Sequence, residues 1–402
     1  MQVERVVIAG AGLAGLRTAE ELRSRGYPGA ITMVGAEPWP PYDRPPLTKK
    51  FMTGQLDDTT LGADPAALGL DLRLGEAATG LDGGVLLTDR GEHAFDALVL
   101  ATGSVPVGLP GNGGQRFLRT IDDARALRDE LLPGTRLAVV GAGWIGAELA
   151  TTARARGCQV TVVEAAASPL AGAVGPEVGS VTARWYAEAG ADLRLGQPVE
   201  SVAADGLVLP GGGWLPADLT VVAVGVRPQV AWLAGSPVGL ENGVAVDGQL
   251  RTSAPGVYAA GDCAAFASAR YGRRLRVEHW DNALHAPRVV AANILGGDET
   301  YDPVPYFWSE QFGRMVQYAG HHSGADRPIW RGDPAGPEWA VCWLAGPGAA
   351  DGDGERMVAL LTVGRPRDLL QGRRVIAAGG AVDPGRLADP GIPVRDAVPA
   401  GA

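Results

Sequence analysis

The sequence predicts an α/β protein built on two copies of one strand–helix–strand unit. An internal repeat carries this prediction, with copies that begin at Val6 and Leu137. In each copy a short apolar run, of the length expected for a buried parallel strand, leads into the pattern G-x-G-x-x-G. A helical segment follows, and a second apolar run then ends in an acid, Glu37 or Glu164. These features predict two Rossmann-like domains.

Each glycine of the pattern has a physical reason. The first permits a tight turn, the second lets a pyrophosphate approach the backbone, and the third lets the helix pack closely on the strand. The helix N-terminus offers free N–H groups to phosphates, and the acid accepts hydrogen bonds from ribose hydroxyls. We therefore predict two dinucleotide sites, which contain Gly10, Gly12 and Gly15 in the first copy and Gly141, Gly143 and Gly146 in the second.

Two dinucleotide sites in one chain indicate a bound redox carrier and an exchangeable partner, and FAD with a nicotinamide nucleotide is the common combination. Glu164 is followed by three alanines, with no arginine nearby. A carboxylate repels a 2′-phosphate, for which NADP sites usually supply an arginine. The sequence therefore favours NADH over NADPH.

Composition excludes several other classes of protein. The chain has 402 residues, enough for two or three domains, and a formal net charge of −10, which disfavours nucleic acid as a partner. No apolar run reaches the roughly 18 residues of a membrane span. The N-terminus enters a strand directly, without the features of a signal peptide, so we expect no membrane association and a cytoplasmic location.

Cysteine and histidine usage argues against a metal site. The three cysteines, Cys158, Cys263 and Cys342, are far apart, which disfavours a zinc site, a disulfide scaffold and a redox-active dithiol. The five histidines lack ligand spacing, and we expect the adjacent His321 and His322 to lie at the surface.

Three further apolar runs, at 97–103, 219–228 and 256–263, predict strands that end in glycine turns. Asp262 lies at the end of the last run, where open α/β sheets bind ligands. It either hydrogen-bonds a ribityl chain or is a simple turn residue.

Taken together, these segments resemble the FAD-dependent ferredoxin reductases of the putidaredoxin reductase and dioxygenase ferredoxin reductase type, within the glutathione-reductase-like flavoproteins. The most specific are YDRPPLTK (42–49), VEHWDNA (277–283) and YFWSEQF (306–312). Supporting segments, spread over nearly the full length, are GAGLAG, LVLATGS, LRT (118–120), GAGWIGAELA, VGVRP and GVYAAGDCA.

The resemblance implies three domains. An FAD domain is expected over 1–112 and 236–305, an NADH domain over 113–235, and a smaller α+β C-terminal domain over 306–402. The cofactor-binding residues that it implies, besides the six motif glycines, are Ala14, Glu37, Arg44, Lys49, Ala78, Arg119, Ile145, Glu164, Gly225, Asp262, Glu278 and Trp280. Trp308 is a second aromatic candidate for packing near the isoalloxazine.

The resemblance assigns the reacting centre to Lys49 and Glu148. Glu148 is expected to face the nicotinamide and Lys49 to lie near the flavin N5, with an ion pair between them beside the hydride-transfer path. The alternative for Glu148 is an ordinary acid in the first turn of a helix, where it stabilises the dipole.

The implied function is electron transfer from NADH through FAD to a 2Fe–2S ferredoxin. That ferredoxin would supply a haem-thiolate monooxygenase or a ring-hydroxylating dioxygenase. Rubredoxin is the alternative acceptor. An FAD- and NADH-binding signalling protein related to apoptosis-inducing factor is the alternative from a different class.

A ferredoxin of this type is usually acidic, so docking to a chain of net charge −10 requires a local cationic patch. The candidates flank the VEHWDNA segment and are Arg270, Arg273, Arg274, Arg276 and, on a predicted helix, Arg288. The alternative is that each arginine offsets a nearby acid.

Overall fold

The computed structural model describes residues 3–346 and 354–399. The chain forms two compact units. Unit 1 comprises Met1–Arg44, Asp58–Val105 and Val226–Pro303, and unit 2 comprises Pro45–Asp57, Pro106–Gly225 and Val304–Ala402. The segment that contains Lys49 therefore belongs to unit 2, although its flanking residues belong to unit 1.

The helices, in chain order, are α1 Leu13–Ser24, α2 Ile121–Glu130, α3 Trp144–Ala155, α4 Ala171–Val174, α5 Pro176–Glu188, α6 Trp280–Ile294, α7 Pro366–Ala378 and α8 Pro384–Ala388. The strands are β1 Arg5–Ala9, β2 Ala30–Gly35, β3 Leu70–Leu74, β4 Ala78–Asp82, β5 Val85–Thr88, β6 Glu92–Ala94, β7 Ala97–Leu100, β8 Ser104–Pro106, β9 Gln115–Arg116, β10 Arg136–Val140, β11 Gln159–Val163, β12 Asp192–Arg194, β13 Ser201–Ala203, β14 Gly206–Leu209, β15 Gly213–Pro216, β16 Leu219–Val222, β17 Val226–Pro228, β18 Val244–Val246, β19 Val257–Ala259, β20 Ala264–Ser268, β21 Arg273–Arg276, β22 Tyr306–Gln311, β23 Arg314–Gly320, β24 Arg327–Arg331, β25 Trp339–Ala345 and β26 Arg356–Val363.

Unit 1 is organised around a five-stranded parallel sheet in the order β19-β7-β1-β2-β3. The central strand β1 is buried from Val6 to Ala9, as expected for an apolar run in a sheet that is covered on both faces. Helices α1 and α6 pack against each other. Two three-stranded sheets, β4-β5-β6 and β18-β20-β21, also belong to the unit.

Unit 2 contains a second five-stranded parallel sheet, in the order β12-β11-β10-β16-β9. Its first strand in the repeat, β10, is buried from Leu137 to Val140, which repeats the pattern of β1. The three-stranded sheet β13-β14-β15 follows it. The two parallel sheets with their glycine turns are the predicted pair of Rossmann-like domains.

The C-terminal part of unit 2 is an antiparallel sheet in the order β22-β23-β26-β25-β24, against which α7 packs. Leu369, Val375 and Ile376 of α7 join Leu360 of β26 in one buried cluster. The structure confirms the predicted α+β character of this part. The predicted domain boundaries stay predictions.

Candidate functional site

The first glycine turn connects β1 to α1 and leaves no room for side chains at two of its three glycines. Gly10 has φ +121°, and a Cβ there would lie 2.1 Å from the Ala101 carbonyl oxygen. A Cβ at Gly15 would lie 1.9 Å from the Gly10 carbonyl oxygen. At Gly12, by contrast, no heavy atom of the described chain lies within 4 Å of the Cβ position. The backbone at the α1 N-terminus is therefore open to a ligand.

The second glycine turn, between β10 and α3, repeats this geometry. A Cβ at Gly141, which has φ +104°, would lie 2.5 Å from the Ala223 carbonyl oxygen, and one at Gly146 would lie 2.0 Å from the Gly141 carbonyl oxygen. Gly143 is open, and within the described residues no side chain caps α3. Both turns thus fit a dinucleotide pyrophosphate, which needs close backbone approach and free N–H groups.

Glu37, two residues after the end of β2, lies in a small polar cluster. Its Oε1 accepts a hydrogen bond from Arg44 Nη2 at 2.6 Å, and its Oε2 accepts one from the Tyr42 hydroxyl at 2.6 Å. Burial alone would lower the pKa of Arg44, but Tyr42 and Glu37 raise it above its ordinary value. The structure therefore brings together Glu37 and Arg44, which sequence reasoning treated separately. Each carboxylate oxygen keeps a lone pair for a ribose hydroxyl.

Asp262 lies in a single 3₁₀ turn directly after β19, at the carboxyl end of the parallel sheet. Its Oδ2 accepts a hydrogen bond from the Ser104 hydroxyl at 2.9 Å. A Cβ at the neighbouring Gly261 would lie 3.0 Å from the Ala14 Cβ in α1. The small residue at position 14 therefore allows the Asp262 turn to approach the first glycine turn.

The remaining predicted residues of unit 1 have different settings. Trp280 is the first residue of α6, and its indole N–H donates to Asp43 Oδ1 at 2.7 Å. Glu278 is exposed and forms an ion pair with Arg276. Ala78 begins β4. Asp43, which sequence reasoning did not single out, belongs to the YDRPPLTK segment and fixes the Trp280 ring.

Glu164 directly follows β11 and anchors the second glycine turn. Its Oε2 accepts the Ala142 N–H and its Oε1 accepts the Ala166 N–H, both at 2.8 Å. Ile145, in the first turn of α3, is 42% exposed, and the Gly225 carbonyl accepts the Val107 N–H at 3.0 Å. The carboxylate is therefore held beside the glycine turn in the position that a ribose-binding acid requires.

The predicted ion pair between Lys49 and Glu148 is present, with 2.7 Å between Lys49 Nζ and Glu148 Oε2. The two side chains are 16% and 5% exposed. The expectation that Glu148 lies in the first turn of its helix was wrong, because α3 begins at Trp144 and Glu148 is its fifth residue. The Glu148 N–H therefore lies beyond the unpaired N–H groups of the helix end, and an ordinary helix-dipole role does not explain this residue.

The Glu148 carboxylate accepts three further hydrogen bonds that the sequence did not predict. The Thr48 hydroxyl donates to Oε2 at 2.6 Å, the Ser309 hydroxyl to Oε1 at 2.7 Å, and the Glu310 N–H to Oε1 at 3.2 Å. Thr48 and Ser309 lie within YDRPPLTK and YFWSEQF, the two specific segments that flank this network in sequence. Their presence in those segments was the one available signal.

Two other predicted residues of unit 2, Arg119 and Trp308, make contacts outside the Glu148 hydrogen bonds. The Arg119 N–H donates to Asp123 Oδ2 at 3.1 Å, next to the capping box that Thr120 forms at the start of α2. Trp308 lies on β22 and stacks on Tyr306, with 6.1 Å between ring centroids. Contact of either with a flavin stays a prediction.

The arginines that are candidates for the ferredoxin dock differ in their partners and in their exposure. Arg274 pairs with Glu241 at 3.2 Å and donates to the Ala265 carbonyl, and Arg276 pairs with Glu278. Arg288 is 65% exposed, and its Nε lies 3.6 Å from Glu299 Oε2. Local acids therefore pair with all three of these arginines, and Arg288 is the most exposed of the three.

His322, which the sequence predicts at the surface, is half-buried. Its ring stacks on Trp343, with centroids 4.2 Å apart, and its Nδ1 lies 2.8 Å from the Tyr318 hydroxyl. Burial lowers the pKa of His322 to about 4. The sequence showed only two adjacent histidines, whereas the sheet supplies the aromatic neighbours.

In the part of the chain that the structure describes, no helix is long and apolar enough to cross a membrane.

The chain is similar to known proteins over nearly its whole length. A family model described as pyridine nucleotide-disulphide oxidoreductase matches residues 4–286, and one described as reductase C-terminal matches residues 306–398. The ferredoxin–NAD(+) reductase component of the anthranilate 1,2-dioxygenase system of Burkholderia cepacia is 36% identical, over 98% of this chain and 99% of that protein.

Two solved structures are similar in fold and sequence. The crystal structure of Fdr9 has a TM-score of 0.93 and 47% identity, and the alignment covers 99% of this chain and 100% of that one. The covalent putidaredoxin reductase–putidaredoxin complex gives a TM-score of 0.90 and 32% identity, over 98% and 97%. The predicted fold class and the predicted use of FAD and NAD(H) are confirmed, and the chain belongs to the pyridine nucleotide-disulphide oxidoreductase family, with a reductase C-terminal domain.

Proposed function

We propose that this chain is a ferredoxin reductase, which takes a hydride from NADH onto FAD and passes electrons singly to a 2Fe–2S ferredoxin that supplies an oxygenase. The observation that carries the proposal is the presence of two dinucleotide cradles in a chain without a dithiol. The full-length similarity to a dioxygenase-system ferredoxin reductase supports the same acceptor.

The cysteines support direct electron transfer from flavin to partner. Cys158, Cys263 and Cys342 are all free and buried. Burial raises the pKa of the Cys263 and Cys342 thiols, which disfavours the reactive thiolate. Disulfide reductases of this fold need a reactive cysteine pair, so a thiol relay is not part of the proposal. Free cysteines also suit a reducing compartment, and we propose a cytoplasmic location.

The chain's own residues would hold and orient two nucleotides. The turn at Gly10–Gly15 would cradle the FAD pyrophosphate, with Glu37 at the ribose and Asp262 at the ribityl chain. The turn at Gly141–Gly146 would cradle NADH, with Glu164 at its ribose. When bound, FAD accepts two electrons as a hydride and releases them one at a time. Lys49 and Glu148 would orient the reacting rings.

One experiment separates this function from its alternatives. The purified protein, loaded with FAD, is mixed with NADH and with ferricyanide, a panel of 2Fe–2S ferredoxins, or a rubredoxin. Rapid ferredoxin reduction supports the proposal, and faster rubredoxin reduction would replace the acceptor. Slow reduction of every acceptor, with a long-lived charge-transfer absorbance, would instead favour a signalling protein of the apoptosis-inducing factor type.

The dock is tested at Arg288, the exposed arginine of α6. We expect Arg288→Glu to raise the apparent KM for ferredoxin and to leave ferricyanide reduction unchanged, since ferricyanide needs no docked partner. Added salt should weaken the wild-type reaction, because the Debye length is about 10 Å at 0.1 M. Arg73→Glu is a matched control, because Arg73 is 54% exposed and pairs with Asp71 in the same unit. Indifference to salt and to Arg288→Glu would refute an electrostatic dock here.

A further inference from the structure

We propose that Ser309 is a positioning residue for flavin reduction. Its hydroxyl orients the Glu148 carboxylate, and through that carboxylate it sets the position of the Lys49 ammonium. The inference rests on the proposed function, in which Lys49 and Glu148 lie beside the hydride-transfer path. It assigns a role in the reaction to β22, a strand of the C-terminal antiparallel sheet.

The Glu148 carboxylate is fully occupied by four donors, two from the Thr48–Lys49 segment and two from β22. Oε2 accepts from Lys49 Nζ at 2.7 Å and from the Thr48 hydroxyl at 2.6 Å. Oε1 accepts from the Ser309 hydroxyl at 2.7 Å and from the Glu310 N–H at 3.2 Å. A carboxylate has about four lone-pair sites, so this set uses all of them and defines one orientation of the group.

Ser309 is itself oriented by a neighbour. It is buried on β22, and its Oγ accepts a hydrogen bond from Gln311 Nε2 at 3.1 Å. Because Gln311 donates to that oxygen, the serine hydroxyl hydrogen is directed at Glu148. Gln311 is buried on the same face of the strand, two residues along, as the alternation of a β-strand requires. The chain of donors therefore runs from Gln311 through Ser309 to Glu148.

Lys49 depends on this orientation because its ammonium has few other partners. Its three N–H groups are directed at Glu148 Oε2 at 2.7 Å, the Thr48 hydroxyl oxygen at 3.2 Å and the Pro45 carbonyl oxygen at 3.2 Å. The two longer contacts are to neutral oxygens of its own segment. The shortest contact, and the one to an opposite charge, is to Glu148. A change in the carboxylate position therefore moves the ammonium.

The same two elements, α3 and β22, share a second hydroxyl link that provides a control. The Thr151 Oγ1 donates to the Ala147 carbonyl at 2.7 Å and accepts the Phe312 N–H, just beyond β22, at 2.9 Å. Among the described residues, the hydrogen-bond partners of Thr151 Oγ1 are Ala147 and Phe312, not Glu148 or Lys49. Thr151→Val therefore removes a helix-to-strand hydrogen bond while it leaves the carboxylate's donors in place.

The test measures the limiting rate constant of flavin reduction by NADH in stopped flow, the NADH dissociation constant, and the midpoint potential of the bound FAD. We expect Ser309→Ala to slow reduction about tenfold, the size expected for one hydrogen bond to an ionised group. NADH affinity and FAD content should change little, and the midpoint potential should shift. Gln311→Met should slow reduction less, and Ser309→Thr should restore most of the rate. Thr151→Val should match the wild type.

Two results would overturn the inference and leave the proposed function intact. One is that Ser309→Ala and Gln311→Met both keep the wild-type rate of flavin reduction and the wild-type midpoint potential while Glu148→Ala reduces its flavin slowly. Ser309 would then be only a packing residue. The other is equal slowing in Thr151→Val, which would indicate a general loss of helix-to-strand order. If Glu148→Ala also reduced its flavin at the wild-type rate, the proposed role of Glu148 would fail and the inference with it.

Discussion

The buried pair of Lys49 and Glu148 makes a quantitative prediction about stability. Glu148→Gln keeps the side chain's shape but leaves the Lys49 ammonium, only 16% exposed, with two neutral oxygens at 3.2 Å. Removing one partner of a buried ion pair costs about 3–5 kcal/mol. Because Lys49 retains some exposure, we expect a loss of about 3 kcal/mol in the free energy of unfolding.

The converse variant should cost less. Lys49→Met leaves the Glu148 carboxylate with the Thr48 and Ser309 hydroxyls and the Glu310 N–H, all within 3.2 Å. Three neutral donors still stabilise the anion, so we expect a loss of about 2 kcal/mol. The double variant has no unpaired buried charge, and it should be little less stable than Glu148→Gln alone. The coupling energy between the two positions is then about 2 kcal/mol.

Urea unfolding of the four proteins, followed by tryptophan fluorescence, measures this coupling. The exposed pair of Arg136 and Asp218, with 2.5 Å between Nη2 and Oδ1 and both side chains nearly half exposed, is the matched control and should show much weaker coupling. Additivity of the Lys49 and Glu148 losses within about 0.5 kcal/mol would refute the reasoning. It would mean that solvent, and not Glu148, compensates the Lys49 charge.

Three further predictions follow from other sites. Glu164→Ala combined with Ala165→Arg should narrow the preference for NADH over NADPH in kcat/KM. Total activity should also fall, because Glu164 accepts the Ala142 N–H. Equal use of both nucleotides by the wild type would contradict the assignment of NADH as the preferred nucleotide. Burial lowers the pKa of His322 to about 4, so only the unfolded state takes up this proton between about pH 6.5 and 4. Stability should therefore fall as the pH drops through that window. His322→Phe should flatten this pH dependence in acid-unfolding curves, and an unchanged curve would exclude His322 as its source. Arg331 is fully buried, pairs with Asp368 and donates to the Leu387 carbonyl near the C-terminus. Arg331→Met should therefore lower the free energy of unfolding by about 4 kcal/mol and make the segment around Leu387 sensitive to proteolysis. Wild-type resistance of the variant to protease would show that the pair is dispensable.

The sequence determined those features that depend on neighbouring residues. The glycine turns follow from backbone sterics within one strand–helix junction, since Gly10 and Gly141 meet carbonyl oxygens at distances that no side chain tolerates. The positions of Glu37 and Glu164 follow from the same short unit. Because the steric constraint is local, the spacing of residue types was enough to predict it.

The tertiary structure decided the surroundings of the reacting pair. Thr48 lies 100 residues before Glu148 in the chain, and Ser309 lies 161 residues after it. No periodicity or spacing connects three polar residues so far apart, because their approach depends on how α3 packs against β22 and the segment around Lys49. His322 shows the same limit, since burial lowers its pKa and its ring stacks on Trp343 of the sheet. Burial removes water from these groups, and only packing over long sequence separations determines which groups are buried together.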